Sequence, residues 1–493
     1  MLMRLFVWYH PSLSVLPVLM LICLFAASVT PPGQEKPAAF SKETERELKR
    51  IQQAGLESRY GYRLLAQLTD NIGPRLSGSP QAERAVDFIA AEMRRLGLEV
   101  QLEKLLVPHW VRGEEVAELI QYPGQPANAT HKLVLTTLGG SVATSSEGIK
   151  ADLIVVSGLQ HLQELGEEKV KGKVVLFNTP FDKQMASQGS GLEAYGQAAI
   201  YRRTGPSAAA CLGAVAVLIR SVGGADYRLP HTGTTFYAAN SPKIPAAAIA
   251  AEDADLINRL SSQGSLRLHL KLTPRTLPDA VSYNVIGDLK GSEHPEQIVI
   301  VSGHLDSWDL GTGALDDGAG VVMAMETVHL LRELKLKPKR TIRVIAWMNE
   351  ENGQVGSKTY FSNHSQDLQN HFGAIESDHG AGHPLGFDVT AEPAVLPLLS
   401  PVASILQGSG AGLMRLTECR VTDIVPLANA GVPSFGLWQD SRFYFNYHHT
   451  AADTFDKVDP HELAENATAM AVLAYALANM QGELPRKTAT IPK

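Results

Sequence analysis

The chain has 493 residues, beyond one ordinary domain, and 44% of them are apolar, so it can bury a large core and is not a disordered protein. Its formal net charge of −7, without a basic run or interleaved aromatics, argues against nucleic acid as a partner. Cys23, Cys211 and Cys419 make neither a disulfide scaffold nor a Cys-x-x-Cys zinc site, so any metal must be held by histidines and carboxylates.

At the N-terminus, Arg4 precedes an apolar run from Leu13 to Val29 that is interrupted by Pro17. Ala26, Ala27 and Ser28 then supply small residues before Pro31-Pro32-Gly33 opens a polar linker. This pattern predicts a secretory signal peptide over residues 1–30, hence export to the medium or periplasm. The run is short for an uncleaved anchor and holds a proline, so no stable membrane association is expected after cleavage.

Residues 41–70 are charged and periodic and predict helix. The stretch from Gly73 to Pro80 reads as a loop. Ala85, Phe88, Ile89, Met93 and Leu96 recur at helical spacing, which predicts an amphipathic helix over 82–96 stopped by Gly97. A strand is expected over 100–106. From about 110 to 280, short apolar runs alternate with Gly, Ser and Pro clusters, the texture of a β-rich module. It includes Lys173–Phe177 and an Ala/Gly-rich helix over 208–219 running into a strand, and carries no acid–base constellation.

From Val281 the pattern becomes α/β. Strands are expected at 298–301, 341–348 and 373–376, with helices over 318–334 and 462–481. Alternation of this kind predicts a mixed, mainly parallel sheet with helices on both faces, whose ligands sit at the carboxyl ends of strands. The residues just beyond each strand are therefore the informative ones. After 298–301 come His304 and Asp306, then Asp316-Asp317-Gly318 at a helix start. After 341–348 come Glu350-Glu351. After 373–376 come Asp378-His379. Near the C-terminus stand His448-His449 and, four residues on, Asp453. Singly each fragment has an ordinary explanation: an aspartate pair caps a helix, and a glutamate pair is a solvated charge. Ordered together at strand exits, they point to one site.

The order His-x-Asp, Asp, Glu-Glu, Asp, His resembles that of the co-catalytic zinc aminopeptidases, the family that includes glutamate carboxypeptidase II and transferrin receptor. The Gly-Ala-x-Asp-Asp-Gly form around Asp316, together with a long middle insertion, is most similar to the plasma glutamate carboxypeptidase branch. The resemblance covers nearly the whole chain beyond the leader. It implies a zinc-exopeptidase fold with two Zn²⁺ per chain: His304 and Asp378 on one ion, Glu351 and His449 on the other, and Asp316 bridging both. It further implies that Glu350 is the general base and that Asp306 holds the His304 ring. Two oxygen- and nitrogen-bound ions sharing a carboxylate suit amide hydrolysis, and Asp306, two residues from His304, suits the usual carboxylate partner of a ligating imidazole.

Two departures stand out. Relatives often carry Tyr directly before the last ligand histidine, where it can stabilise the oxyanion; here His448 holds that place and is expected to donate the same hydrogen bond. Leu315 stands where relatives often have Asn. His379 is a second candidate ligand. The insertion's Lys171-Gly172-Lys173-Val174-Val175-Leu176-Phe177 run is similar to a protease-associated domain. The resulting organisation is a signal peptide (1–30), a first part of the catalytic domain (31–112), a protease-associated-like insertion (113–277), the main zinc peptidase part (278–482) and a tail (483–493). The expected reaction is hydrolysis of terminal peptide bonds in short peptides; amino-, carboxy- and dipeptidase action stay open, and the branch implies a homodimer. Two rivals are a non-catalytic binding protein on the same fold and a single-zinc glutaminyl cyclase-like enzyme. The first would show lost ligands, and the second lacks the complete two-metal set that this chain keeps.

Overall fold

The structure, a computed structural model, describes residues 39–489. The expected leader and the last residues of the tail lie outside the described residues.

The chain first forms the helix Lys42–Glu57, capped by the Ser41 side chain, which accepts from the Thr44 amide. The next long helix, Pro80–Arg95, begins two residues before the expected start because Ser79 caps it and Pro80 presets its first turn. Its apolar stripe of Ala85, Val86, Ile89 and Met93 is buried. The strand Glu99–Val111 runs past the expected end at 106, with its register shift between Val107 and His109. Pro108 sits at that shift. A proline lacks the ladder donor, so it ends an apparent strand in sequence while a real one absorbs it in a bulge.

Glu99–Val111 pairs antiparallel along its whole length with Arg275–Leu289. The chain therefore leaves the first sheet at residue 111 and re-enters it at 275. That sheet has eight strands. Its centre is four parallel strands in the spatial order Arg340–Trp347, His294–His304, His371–Glu376 and Ser434–Gln439. Alternate residues face opposite ways. Val299, Val301, Ile342 and Val344 pack in one core with the helices Ala319–Glu333 and Pro460–Asn479. Ile300, Ile345 and Trp347 pack on the other face against Tyr360, Ile424 and Leu427. Burial on both faces explains why these strands read as continuous apolar runs. The architecture is the expected mixed α/β sheet with helices on both faces.

Residues 115–272 build a second eight-stranded sheet with its own core, which includes Leu153, Val174, Leu176, Leu218 and Leu268. This part is more helical than its texture suggests. The expected helix at 208–219 in fact spans Gly191–Cys211, and the strand after it is Ala216–Arg220, separated by a turn at Gly213 with φ +79°. The helix buries small residues such as Ala194, Ala198, Ala199 and Ala209 over much of its surface, so it has no apolar stripe to read. Cys211 and Cys419 are unpaired. Among the described residues, no helix is long and apolar enough to cross a membrane.

Candidate active site

The carboxyl ends of the four central strands converge on one cluster. His304 is the last residue of its strand, Glu350 and Glu351 come one short turn after Trp347, Asp378 comes just after Glu376, and the loop beyond Gln439 brings His448 and His449.

The loop between His304 and the helix at Ala319 is clamped from two sides. The fully buried Arg75 donates to the carbonyl oxygens of Leu305 (2.7 Å), Thr312 (2.6 Å), Gly313 (2.8 Å) and Gly73 (3.1 Å). A guanidinium fork can serve diverging acceptors in this way. Gly313 has φ +60°, and a Cβ there would lie 2.3 Å from the Ser307 Cβ, so only glycine fits. On the other side the Asp453 carboxylate accepts from the amides of Ala314 (3.0 Å), Leu315 (2.7 Å) and Asp316 (3.2 Å). The ordinary helix-cap role falls to Asp317, which accepts from the Gly320 and His304 amides. Asp316 is left to point into the site.

The Asp316 carboxylate stands between two imidazoles. Its Oδ1 is 3.2 Å from His304 Nε2 and its Oδ2 is 3.2 Å from His449 Nε2. His304 Nε2 is also 3.2 Å from Asp378 Oδ1, and His449 Nε2 is 3.0 Å from Glu351 Oε2. Two groups able to hold a metal ion thus meet at one shared aspartate, His304–Asp316–Asp378 and Asp316–Glu351–His449. They bring together all five residues singled out as ligands. Each histidine uses its other nitrogen on a backbone carbonyl, His304 Nδ1 on Asp306 (2.9 Å) and His449 Nδ1 on Thr232 (3.3 Å). A donating Nδ1–H leaves Nε2 with its lone pair free for a cation.

The residues fit zinc. Nitrogen and oxygen donors are the right set, and Glu351 Oε1 is buried without a hydrogen-bond partner among the described residues. Burial, with the nearby Asp316 charge, pushes the Glu351 carboxyl up to about 7, although the His449 ring opposes the shift. Such a group needs a counter-ion to stay charged. Glu350 lies in the same state: burial first, then the charges of Asp378 and Glu351, hold its carboxyl well above the usual range.

Asp306 departs from its expected role. Its carboxylate is 3.9 Å from His304 Nδ1, and its backbone carbonyl makes the hydrogen bond to the ring instead. The carboxylate accepts from the Asn349 (2.7 Å) and Glu350 (3.0 Å) amides and from Ser77 Oγ (3.0 Å). Amides at a buried strand exit need an acceptor, and Asp306 lies across from them on the neighbouring strand's exit. Its carboxylate positions the Glu350–Glu351 turn while its carbonyl holds the imidazole.

His448 stacks on His449 with ring centroids 3.7 Å apart, and its Nε2 is 3.4 Å from Asp316 Oδ2. Burial, reinforced by the neighbouring His449, keeps its pKa well below the ordinary imidazole value. A neutral ring able to donate from Nε2 suits the expected role. His379 lines the cavity but belongs to neither of the two Asp316-centred groups.

Three contributors escape sequence reasoning. Asp453 ends the His-His-x-x-x-Asp run, but nothing in that run assigns it a task. Arg75 lies in a stretch that reads only as loop. His231, whose Nε2 is 3.0 Å from His448 Nδ1, gives no local signal at all.

The cluster opens into a cavity of about 580 Å³, a size suited to small ligands. One wall belongs to the first sheet's loops and the other to the segment 192–236, including Tyr195, Arg203 and Phe236. The carboxylates lining it, Asp316, Glu350, Glu351 and Asp378, all belong to the cluster. Of its cations, Arg202 is buried on the Thr232 carbonyl and Arg420 pairs with Glu193. Arg203 and Lys358 are exposed and form no ion pair among the described residues.

Residues 284–474 match the model of peptidase family M28. The chain is 38% identical to carboxypeptidase Q of Bos taurus over 431 residues, 86% of each chain. It is similar in structure to a peptidase M28 precursor from Shewanella amazonensis, with a TM-score of 0.85, 36% identity, and 92% of this chain and 99% of that one covered. A zinc aminopeptidase from Bacillus subtilis matches at a TM-score of 0.62 and 22% identity, over 86% of this chain and 98% of that one, and shares the fold.

Proposed function

Since the chain belongs to peptidase family M28, we propose that it is a two-zinc exopeptidase that removes residues from short peptides and recognises the free carboxylate of its substrate. The observation that carries the reading is the pair of metal-capable groups sharing Asp316 beside Glu350, at the floor of a cavity whose exposed cations Arg203 and Lys358 lie outside that cluster.

When bound, the two zinc ions supply Lewis-acid polarisation and offset the charge that develops on the scissile carbonyl. His304, Asp378, Glu351 and His449 would hold them, with Asp316 between. Glu350 lies within the cavity and is not needed as a ligand. A half-buried carboxylate with a raised pKa is suited to take a proton from the attacking water and to hand it to the leaving amine. Asp306 and Ser77 fix the turn that aims it. His448 Nε2 donates to the carbonyl oxygen as it becomes an oxyanion. Arg203 and Lys358 attract the substrate's terminal carboxylate. The segment 113–277 is a protease-associated-like insertion that walls the cavity, and the leader pattern at 1–30 directs the enzyme out of the cytoplasm.

The test is hydrolysis of a matched dipeptide panel (free, N-acetylated and C-amidated), with and without chelator and added zinc. Cleavage of free and acetylated forms with the amidated forms spared is expected. Cleavage of amidated but not acetylated forms would overturn the carboxylate assignment and make it an aminopeptidase. No cleavage by protein holding two zinc ions would overturn the peptidase reading itself.

A further inference from the structure

His231 comes from the segment between the two halves of the first sheet, 217 positions before His448 in the chain. It is fully buried. Its ring lies against Gly223, where a Cβ would come within 2.8 Å of Cδ2, so the sequence leaves room for this imidazole at the cost of a side chain beside it. Its amide donates to Ser221 Oγ at 3.0 Å, which anchors the residue at its backbone.

The two ring nitrogens of His231 have unequal surroundings. Nε2 meets His448 Nδ1 at 3.0 Å, while Nδ1 is buried with no hydrogen-bond partner among the described residues. The nearby Thr232 carbonyl, which favours a proton on His231, already accepts from Arg202 (2.9 Å) and His449 (3.3 Å) and is left poorly placed to serve Nδ1 as well. A neutral imidazole has one N–H and one bare nitrogen. Placing the proton on Nδ1 would bury an orphan donor, and with Nε2 then bare, His448 would have to donate from Nδ1. Placing it on Nε2 leaves only a bare acceptor unserved and lets Nε2–H donate to His448 Nδ1. His448 must then carry its own proton on Nε2. That nitrogen is 3.4 Å from Asp316 Oδ2, an acceptor, which agrees with a donor there.

We propose that His231 is a positioning residue: it donates from Nε2 to His448 Nδ1 and thereby locks His448 in the Nε2–H tautomer, the only neutral form that can donate to the scissile carbonyl oxygen. The segment that walls the cavity therefore also sets the hydrogen-bonding polarity of the site. The kinetic part rests on the exopeptidase reading; the tautomer part does not.

The experiment compares His231→Phe, which keeps a ring but no donor, with His231→Gln, whose amide N–H can replace Nε2–H. Each full-length protein is loaded with zinc and labelled with ¹⁵N-histidine. Long-range ¹H–¹⁵N correlations read the tautomer, with the His448 signals identified by their loss in His448→Phe. Wild type and His231→Gln are expected to show His448 protonated on Nε2. His231→Phe should populate the Nδ1–H form, keep its zinc content, and lose about 100-fold in kcat with KM little changed, the scale of a lost oxyanion donor. His231→Gln should restore most of the rate. An Nδ1–H tautomer in wild type, full activity in His231→Phe, or loss of zinc in both variants overturns the proposal, the last pointing to His231 as a metal ligand. Inactive wild type that nevertheless shows the Nε2–H tautomer would retire the peptidase reading and keep the histidine pair.

Discussion

Asp453→Asn isolates what holds the shared carboxylate in place. The Asp453 side chain accepts three amide hydrogens, two on Oδ1 and one on Oδ2, the last from Asp316 itself. Asparagine has nearly the same shape. Its carbonyl oxygen keeps the Ala314 and Leu315 amides as neutral bonds, while its NH₂ group faces the Asp316 N–H, donor against donor. Two charge-assisted bonds weaken by about 1 kcal/mol each and a third, about 2 kcal/mol, is lost. Against this stands the cost of the buried charge: burial, then Asp316, pushes the Asp453 carboxyl up to about 7 in the metal-free protein. That value is already net of the amide bonds, so removing the charge more than offsets their loss when no cation is present. The metal-free variant should therefore melt no lower than the parent. With zinc bound, repulsion from Asp316 no longer offsets the lost bonds, and zinc affinity should fall about 10- to 100-fold, as for other residues that orient a ligand. Competition titration against a zinc chelator gives the affinity and calorimetry of the stripped proteins gives the stability. An unchanged zinc affinity, or a metal-free melting temperature lowered as much as the zinc-bound one, would refute the clamp.

Glu350→Gln should keep both zinc ions by elemental analysis and lose about 10²- to 10⁴-fold in kcat, since it removes the base and not a ligand; near-wild-type turnover would reassign the base. Asp316→Ala should lower bound zinc, because both groups lose the same member; unchanged metal content would sink its bridging role. Away from the site, His371 is buried between the Tyr360 hydroxyl and the Asp367 carbonyl, and burial pushes its pKa down to about 4. The folded value lies below the unfolded one, near 6.5, so the associated stability is complete above about pH 6.5 and is lost as pH falls toward 4. That loss is on the order of 3 kcal/mol, and denaturant titrations of His371→Gln should show it abolished.

The parts of the molecule legible in the sequence share a physical property: their signal is local. Strands 298–301, 341–348 and 373–376 are buried on both faces, so each appears as an apolar run, and the residue types after each run reveal which ends meet the site. His304, Glu351 and Asp378 sit just past strand ends, and the order in which they occur with Asp316 and His449 carries the resemblance that names all five. Roles that depend on which atom is turned where are not legible. Asp306 has the right spacing to hold His304 with its carboxylate, yet its carbonyl does so and the carboxylate serves the neighbouring turn. Spacing does not distinguish the two, because both groups belong to the same residue. The helix Gly191–Cys211 escapes for a different reason: small residues packed over much of its surface leave no periodicity.

The loop 231–234 shows the limit most clearly. His231 meets His448; the Thr232 amide donates to the His449 carbonyl while its own carbonyl accepts from His449 Nδ1; and Thr234 Oγ1 donates to the Glu351 carbonyl at 2.8 Å. Gly233 permits this path, since a Cβ there would lie 2.2 Å from Arg202 Nη1. Three of four consecutive residues in an apparently inert segment thus touch two proposed zinc ligands and the histidine between them and the substrate. Ligands that must present a lone pair to a metal have to be oriented through their other polar atoms, and for His449 that atom, Nδ1, is held from outside the sheet that carries it. The segment therefore contacts the site's candidate ligands as well as walling it, and the two sheets must dock before His448 and His449 acquire these contacts.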